Sequence, residues 1–276
     1  MSTSGLKTIA IAILLLINAL FLTVIISDAF ADMRSQRETI ENVSEVLRAG
    51  GIKIDPGDIL TNDSIRTMHT ARSVEAEAII AEAILGQTVV SDQGVIYTYE
   101  NAERGVAEFA SAGDFEIRLR EGAIMVTNDT LRTVQGLLRS MKLESTRLNV
   151  SVSPDGEIVS AVSAFRNASI FNCNIEFVFS EGSLHTIRGR YVAGFEPAED
   201  GIVISPVGTA LLGFLAEVKR DREDVDCTEI HSVEAGYHHR VAGSFGGVIS
   251  PAWLIVTDNG TYLIDDTTGE IRPFSG

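Results

Sequence analysis

Cysteine is almost missing from this chain: 276 residues contain two, Cys173 and Cys227. Two cysteines do not make a disulfide framework, and neither has metal-ligand spacing to another cysteine. Disulfide-stapled and zinc-ribbon folds are thereby excluded. Cys173 lies in an apolar, strand-like run, which suits a buried free thiol at least as well as a disulfide. Basic residues are also scarce, 22 Lys and Arg against 38 Asp and Glu, for a net charge of −16. Phosphate backbones are gripped by clustered Lys and Arg, so nucleic acid is not expected as a partner. An acidic surface does not adhere to anionic lipid headgroups either, and solubility is a sufficient account of the charge.

The familiar catalytic signatures are lacking too. There is no His-Glu-x-x-His and no glycine-rich phosphate loop. His69, His185, His231, His238 and His239 could suggest a metal site. However, neighbours in a strand point to opposite faces, so His238 and His239 do not easily share one ion. Ala242-Gly243-Ser244-Phe245-Gly246 looks like a nucleophile elbow without its first glycine. The stretch from Val248 to Val256 that follows reads as a strand, where the elbow needs a helix. Asp55, Asp58 and Asp63 lack calcium-loop spacing. The run Asp221, Glu223, Asp224, Asp226 reads as a solvated linker. No catalytic residue, metal or cofactor is expected, and the chain is read as a non-enzyme.

A long apolar run is present. From Ile9 to Ile26 eighteen residues pass without a charge, and as a helix they would span about 27 Å, close to a bilayer's hydrocarbon thickness. Lys7 precedes the run, while every acidic residue and all other Lys and Arg lie beyond residue 27. The positive-inside bias then keeps the N-terminus cytoplasmic and exports the rest. Ala29-Phe30-Ala31 has the pattern of a signal-peptide cleavage site. A signal h-region usually runs about 7–15 residues, so the longer run here favours a retained anchor. Asn18 sits mid-span, and Ile11, Leu14, Leu15, Phe21, Leu22 and Ile25 share its face by three-and-four spacing. That face is expected to contact another membrane helix.

After the span the pattern is α+β. A helix over 32–49 stops at Gly50-Gly51, and a second, rich in Ala and Glu, covers 74–85. Strand patterns follow at 88–90, 95–99, 106–110 and 115–119. Asn128 or Asp129 can cap a helix over 130–141. Strands at 148–152, 158–166, 169–179 and 183–192 come next. Ser205-Pro206 opens a further helix, followed by strands at 228–240, 250–257, 261–264 and 270–271. Helix-then-strands order recurs, which predicts an N-terminal transmembrane helix followed by tandem helix-plus-antiparallel-sheet units. The corresponding divisions are 1–27 for tip and span, 28–122 for a first exported unit, and 123–276 for two helix-sheet repeats.

The final strands carry a resemblance. Ile230-His231-Ser232-Val233-Glu234-Ala235-Gly236-Tyr237 is followed by Ser250-Pro251-Ala252-Trp253, then Gly260-Thr261-Tyr262-Leu263-Ile264-Asp265 and Thr268-Gly269-Glu270-Ile271. This order resembles the last domain of the YycI/YycH regulators and their PepSY-like module. Lys7-Thr8 opening a single span that contains an asparagine, with Gly51-Ile52 beyond it, is also similar to YycI. Gly236, Tyr237, Pro251, Trp253, Tyr262, Gly269 and Glu270 are the motif positions. Asp265-Asp266 departs from the usual ending.

The resemblance implies a membrane-anchored accessory protein that modulates a sensor histidine kinase (WalK, or YycG) of a cell-wall two-component system. Its partners would be that kinase, through the span, and a YycH-like ectodomain. Two other classes compete with this reading. One is a PepSY-like secreted or tethered inhibitor of an extracytoplasmic peptidase. The other is a hydrolase built on Ser244 and His239.

Overall fold

Residues 35–126, 129–154, 156–220, 227–243 and 246–275 are described by the structure, a computed structural model. The chain opens on helix α1 (35–49), then β1 (Lys53–Ile54), a 3-10 turn (Pro56–Asp58), β2 (Ile59–Leu60) and β3 (Met68–Ala71). Helix α2 (Val74–Leu85) precedes the meander β4 (Val89–Asp92), β5 (Ile96–Asn101), β6 (Gly105–Ala110) and β7 (Asp114–Leu119). Helix α3 (Thr130–Ser140) leads to β8 (Ser145–Ser153), β9 (Gly156–Phe165), β10 (Ala168–Ser180) and β11 (Ser183–Arg190). After β12 (Glu196–Pro197) and helix α4 (Val207–Arg220) come β13 (Glu229–Val241), β14 (Gly246–Thr257), β15 (Gly260–Asp265) and β16 (Glu270–Pro273).

Local chemistry accounts for the helix limits. The Ser73 side chain accepts from the Ala76 N–H and so caps α2, which stops at Gly86. Asp129 caps α3, accepting from the N–H groups of Leu131 and Arg132. Such caps satisfy donors that the first turn leaves orphaned.

The strands join into one sixteen-stranded mixed sheet whose main order is β12-β3-β14-β13-β10-β11-β7-β6-β5-β4. Strands β15 and β16 continue from β14, and β9 and β8 continue from β10. The sheet has two lobes with separate cores. In the first, Val43 and Leu47 of α1 and Leu211 and Phe214 of α4 share a core with Trp253 and Ile255 of β14. In the second, Ile80 and Ile84 of α2 and Val134 and Leu138 of α3 pack with Phe109, Ile117 and Phe177. The second lobe is inserted in the first: the chain crosses over after β3 and returns after β11.

Strand β10 joins the lobes. Its ladder with β9 jumps from Ser169↔Ala164 to Asn174↔Val162, so residues 170–173 bulge out against Ser163 alone. The bulge reaches β13, where Ile170 pairs in parallel with Tyr237. One step on, the Asn172 side chain acts as a surrogate backbone. Its Nδ2 donates to the His239 carbonyl and its Oδ1 accepts from the His239 N–H, both at 2.8 Å. Ala168, Ile170 and Cys173 then face the first core, and Ile175, Phe177 and Phe179 the second. The four α-helices among the described residues therefore lie on one side of the sheet, and among those residues the other side is bare of helices.

A buried ion pair fixes the crossover. Arg72 and Glu77 side chains are 6% and 0% exposed, with Nε to Oε1 at 2.6 Å and a second bond from Nη2 to Oε2 at 3.1 Å. Arg72 also donates to the carbonyls of Val95 and Phe109 and lies over the Tyr97 ring. The Tyr191 hydroxyl donates to Glu77 from the returning segment.

Two expectations are corrected here. The fold is not a transmembrane helix followed by tandem helix-plus-antiparallel-sheet units. Strands β1, β2 and β10 pair in parallel with β13, and all the strands belong to one sheet. Periodicity shows where strands are but not which edges meet, and that is where the tandem reading failed. The single-pass membrane placement is corrected as well: among the described residues no helix is long and apolar enough to cross a membrane. The run from Leu6 to Ile26 lies outside the described residues.

Truncating Glu77 to Ala would leave the Arg72 guanidinium buried without its counter-charge. A loss of about 3–5 kcal/mol is expected from removing one partner of such a pair. Urea denaturation of Glu77→Ala against the parent chain measures it, and a loss below about 1 kcal/mol would show that the crossover does not depend on this pair.

Candidate functional site

The bare side of the sheet contains a groove of about 410 Å³ where the two lobes approach each other. One wall comes from β8, β9 and β10, with Arg147, Asn149, Ser160, Asn174 and Glu176. The other comes from β14, β15 and the C-terminal segment, with Leu254, Val256, Thr261 and Phe274; Phe171 from the β10 bulge completes the lining. Alternation explains the division: Val159, Ala161, Ile175 and Phe177 point to the helices, so their neighbours point to the groove.

Polar groups on the first wall are held in place. Arg147 Nη2 lies 3.0 Å from Glu234 Oε2, and the Ser169 hydroxyl donates to the same carboxylate. The Thr146 and Ser169 hydroxyls are 2.7 Å apart. Asn174 Oδ1 is buried and has no hydrogen-bond partner among the described residues. A buried acceptor left open is uncommon and calls for a donor. Beyond the groove the bare side is polar. One row across it runs Thr98, Glu108, Glu116, Arg188, Glu176, Ser160 and Asn149, each opposite the next in register. Arg188–Glu176 and Arg118–Glu108 ion pairs hold that surface at 2.8 and 2.7 Å.

The family-motif positions fall mostly in the core of the first lobe and build its ladder. Gly236 is needed for a close approach, because a Cβ there would lie 2.4 Å from Phe171 Cζ and 2.7 Å from the Ser169 carbonyl oxygen. Tyr237 is buried opposite Pro251. Pro251 stands mid-strand, where proline is normally excluded for want of an N–H. It is tolerated because β14 changes partner there, from β3 at 246–249 to β15 at 252–257. Trp253 is 1% exposed, between Ala235 and Ile264 on its neighbouring strands. The Tyr262 ring lies 5.5 Å from that of Phe214. Gly269 takes a positive φ of 72° in the last turn, and Glu270 pairs with Asp265. None of the seven lines the groove.

The proposed membrane contacts Ile11, Leu14, Leu15, Asn18, Phe21, Leu22 and Ile25 lie outside the described residues, as does Ser244. His239 is 6% exposed at the junction of the lobes. Cys173 and Cys227 are free and buried, and burial pushes both thiols up to about 12. At neutral pH they are protonated and poor nucleophiles. Among the described residues no three of His, Cys, Asp and Glu are grouped so as to hold a metal ion.

Sequence patterning did not single out the groove residues. The available signal was a pair of amides, Asn172 and Asn174, inside the run Ile170-Phe171-Asn172-Cys173-Asn174-Ile175. Amides are depleted in strands, and here one completes a ladder while the other lines the groove.

No family model and no curated protein matches the chain. Nine chains of solved structures do. One is an uncharacterized protein from Eubacterium rectale ATCC 33656, whose crystal structure was solved at 1.45 Å resolution. Its TM-score is 0.51 at 11% identity, over 79% of this chain and 89% of that one. The likeness is one of fold. It extends over most of both chains and says nothing of activity.

His238, on the bare side of β13, accepts from Arg272 Nη2 at 2.7 Å through Nε2. Burial first, then the Arg272 charge, brings its pKa down to about 4; Arg240 and His239 act in the same direction and Asp265 opposes them. An unfolded histidine titrates near 6.5. The unfolded chain therefore takes up this proton first, so His238 costs no stability above about pH 6.5 and progressively more as pH falls towards 4. Urea midpoints at pH 7.5 and 5 should differ in that sense, and His238→Gln should reduce the difference. An undiminished difference in the variant would assign the acid sensitivity to other groups.

Proposed function

We propose that this chain is a non-enzymatic regulator that acts by contact, holding a segment of a partner protein in the bare-side groove. The observation that carries this reading is the make-up of the groove. One lobe supplies hydrogen-bonding groups, among them Arg147, Asn149 and Ser160, and the other supplies apolar surface. A few fixed polar groups set into apolar lining are what a recognition site offers. Because the walls belong to different lobes, an occupant couples to the angle between them. Regulation of this kind needs only that the two states of the partner bind with different affinity.

The resemblance to YycI and YycH supports a choice of first partners to try, a YycH-like ectodomain and the sensor domain of a WalK-type kinase. Titration calorimetry of the full chain with each is the test. Thr261→Arg would place a long cation across the groove from a part-exposed site on β15. Saturable binding is expected for the parent chain, weakened about tenfold or more in Thr261→Arg, a change of about 1.4 kcal/mol, with an unchanged melting temperature. Equal affinity in the two, or no binding to either partner, would overturn the proposal.

A further inference from the structure

Among the described residues strand β8 pairs with β9 alone, which leaves its other edge free of them along nine residues. Such an edge is a template for another strand, and proteins normally guard it by shortness, charge, proline or a bulge. Other edges of this sheet are guarded. Strand β12 has two residues, β4 has four and ends in Asp92, and β16 has four, among them Glu270, Arg272 and Pro273. Strand β8 has an irregularity only at its start, between Ser145 and Arg147. From Leu148 to Ser153 it has no charge, no proline and no glycine. Val150 and Val152 are 43% and 82% exposed.

Clefts flank this edge on both sides of the sheet. Towards the helices, a cleft of about 440 Å³ runs between α3 and β8, lined by Leu138, Arg139, Leu143 and Leu148. On the bare side, Asn149 and Ser151 line the inter-lobe groove. An added strand would send alternate side chains to the two sides, as strand-addition sites do. The charge is also local and distinctive. In a chain of net −16, residues 130–143 contain Arg132, Arg139 and Lys142 and no acid. Arg139 and Lys142 have no ion pair among the described residues. A second copy pairing through the same edge would present its own Leu148–Ser153, which has no acid, and leave both cations unanswered.

We propose that the free edge of β8 is a second docking site, which takes an extended acidic segment of a partner protein as an added strand. Its backbone would pair with β8, its apolar residues would enter the α3 cleft, and its carboxylates would meet Arg139 and Lys142. This goes beyond the groove reading and stands or falls separately, since Arg139 and Lys142 are not part of the groove's lining.

Selection of nine-residue displayed peptides on the full chain tests it. The selected peptides should be rich in Asp and Glu alternating with β-branched residues, and should protect β8 amides from hydrogen exchange. Arg139→Glu with Lys142→Glu should weaken them about tenfold or more, and added salt should do the same. Val150→Pro should abolish binding; the charge variants keep the test valid if that variant misfolds. Peptides without acidic enrichment, or protection elsewhere than β8, would overturn the proposal. So would β8 amides already protected in a dimer without peptide, which would assign the edge to a second copy.

Discussion

Four residues of β10 set against one of β9 decide the architecture. Without the excursion at 170–173, β10 would remain a strand of the second lobe and the sheet would divide. The excursion costs backbone pairing at a buried place, and Asn172 restores it by presenting an amide with the donor and acceptor of a peptide group. Buried backbone groups must find partners, and here a side chain provides them where the strand departs. The same step preserves which side of β10 faces the helices. Helices on one side and a bare surface on the other follow from it.

Charges are distributed according to that division. Between lobes, Arg72 and Glu77 are buried with nearly every donor and acceptor engaged, which is the condition under which a buried pair can be tolerated. On the bare side, Arg118 pairs with Glu108 and Glu116, and Arg188 with Glu176, in exposed pairs that each contribute little. Beside α3 and β8, Arg139 and Lys142 have no ion pair among the described residues. An acidic chain thus has a small region of opposite character beside its least guarded edge.

Much of the local structure was legible in the sequence. The Ala- and Glu-rich helix expected over 74–85 is found at Val74–Leu85, and Asp129, one of the two candidate caps, caps the next helix. What could not be read was pairing. The two-residue strands at Lys53–Ile54 and Ile59–Leu60 are too short for a periodic signal, and their parallel partner is remote in sequence. The motif positions had visible patterning, yet Gly236 and Pro251 turn out to reflect an approaching Phe171 ring and a change of strand partner. The groove was invisible because its walls lie far apart along the chain and use ordinary residues such as Asn174, Leu254 and Thr261.

Insertion of one lobe within the other has a consequence for synthesis on the ribosome. Strands β1 to β3 emerge early, but β13 and β14, which they flank, arrive only after the whole second lobe has been made. At roughly 5–20 residues per second, that delay is on the order of ten seconds or more. The second lobe has its own core and all but one end of its sheet available in that interval. The first lobe, by contrast, has to hold its early segments uncommitted. A ribosome-bound chain would therefore acquire its middle before its beginning.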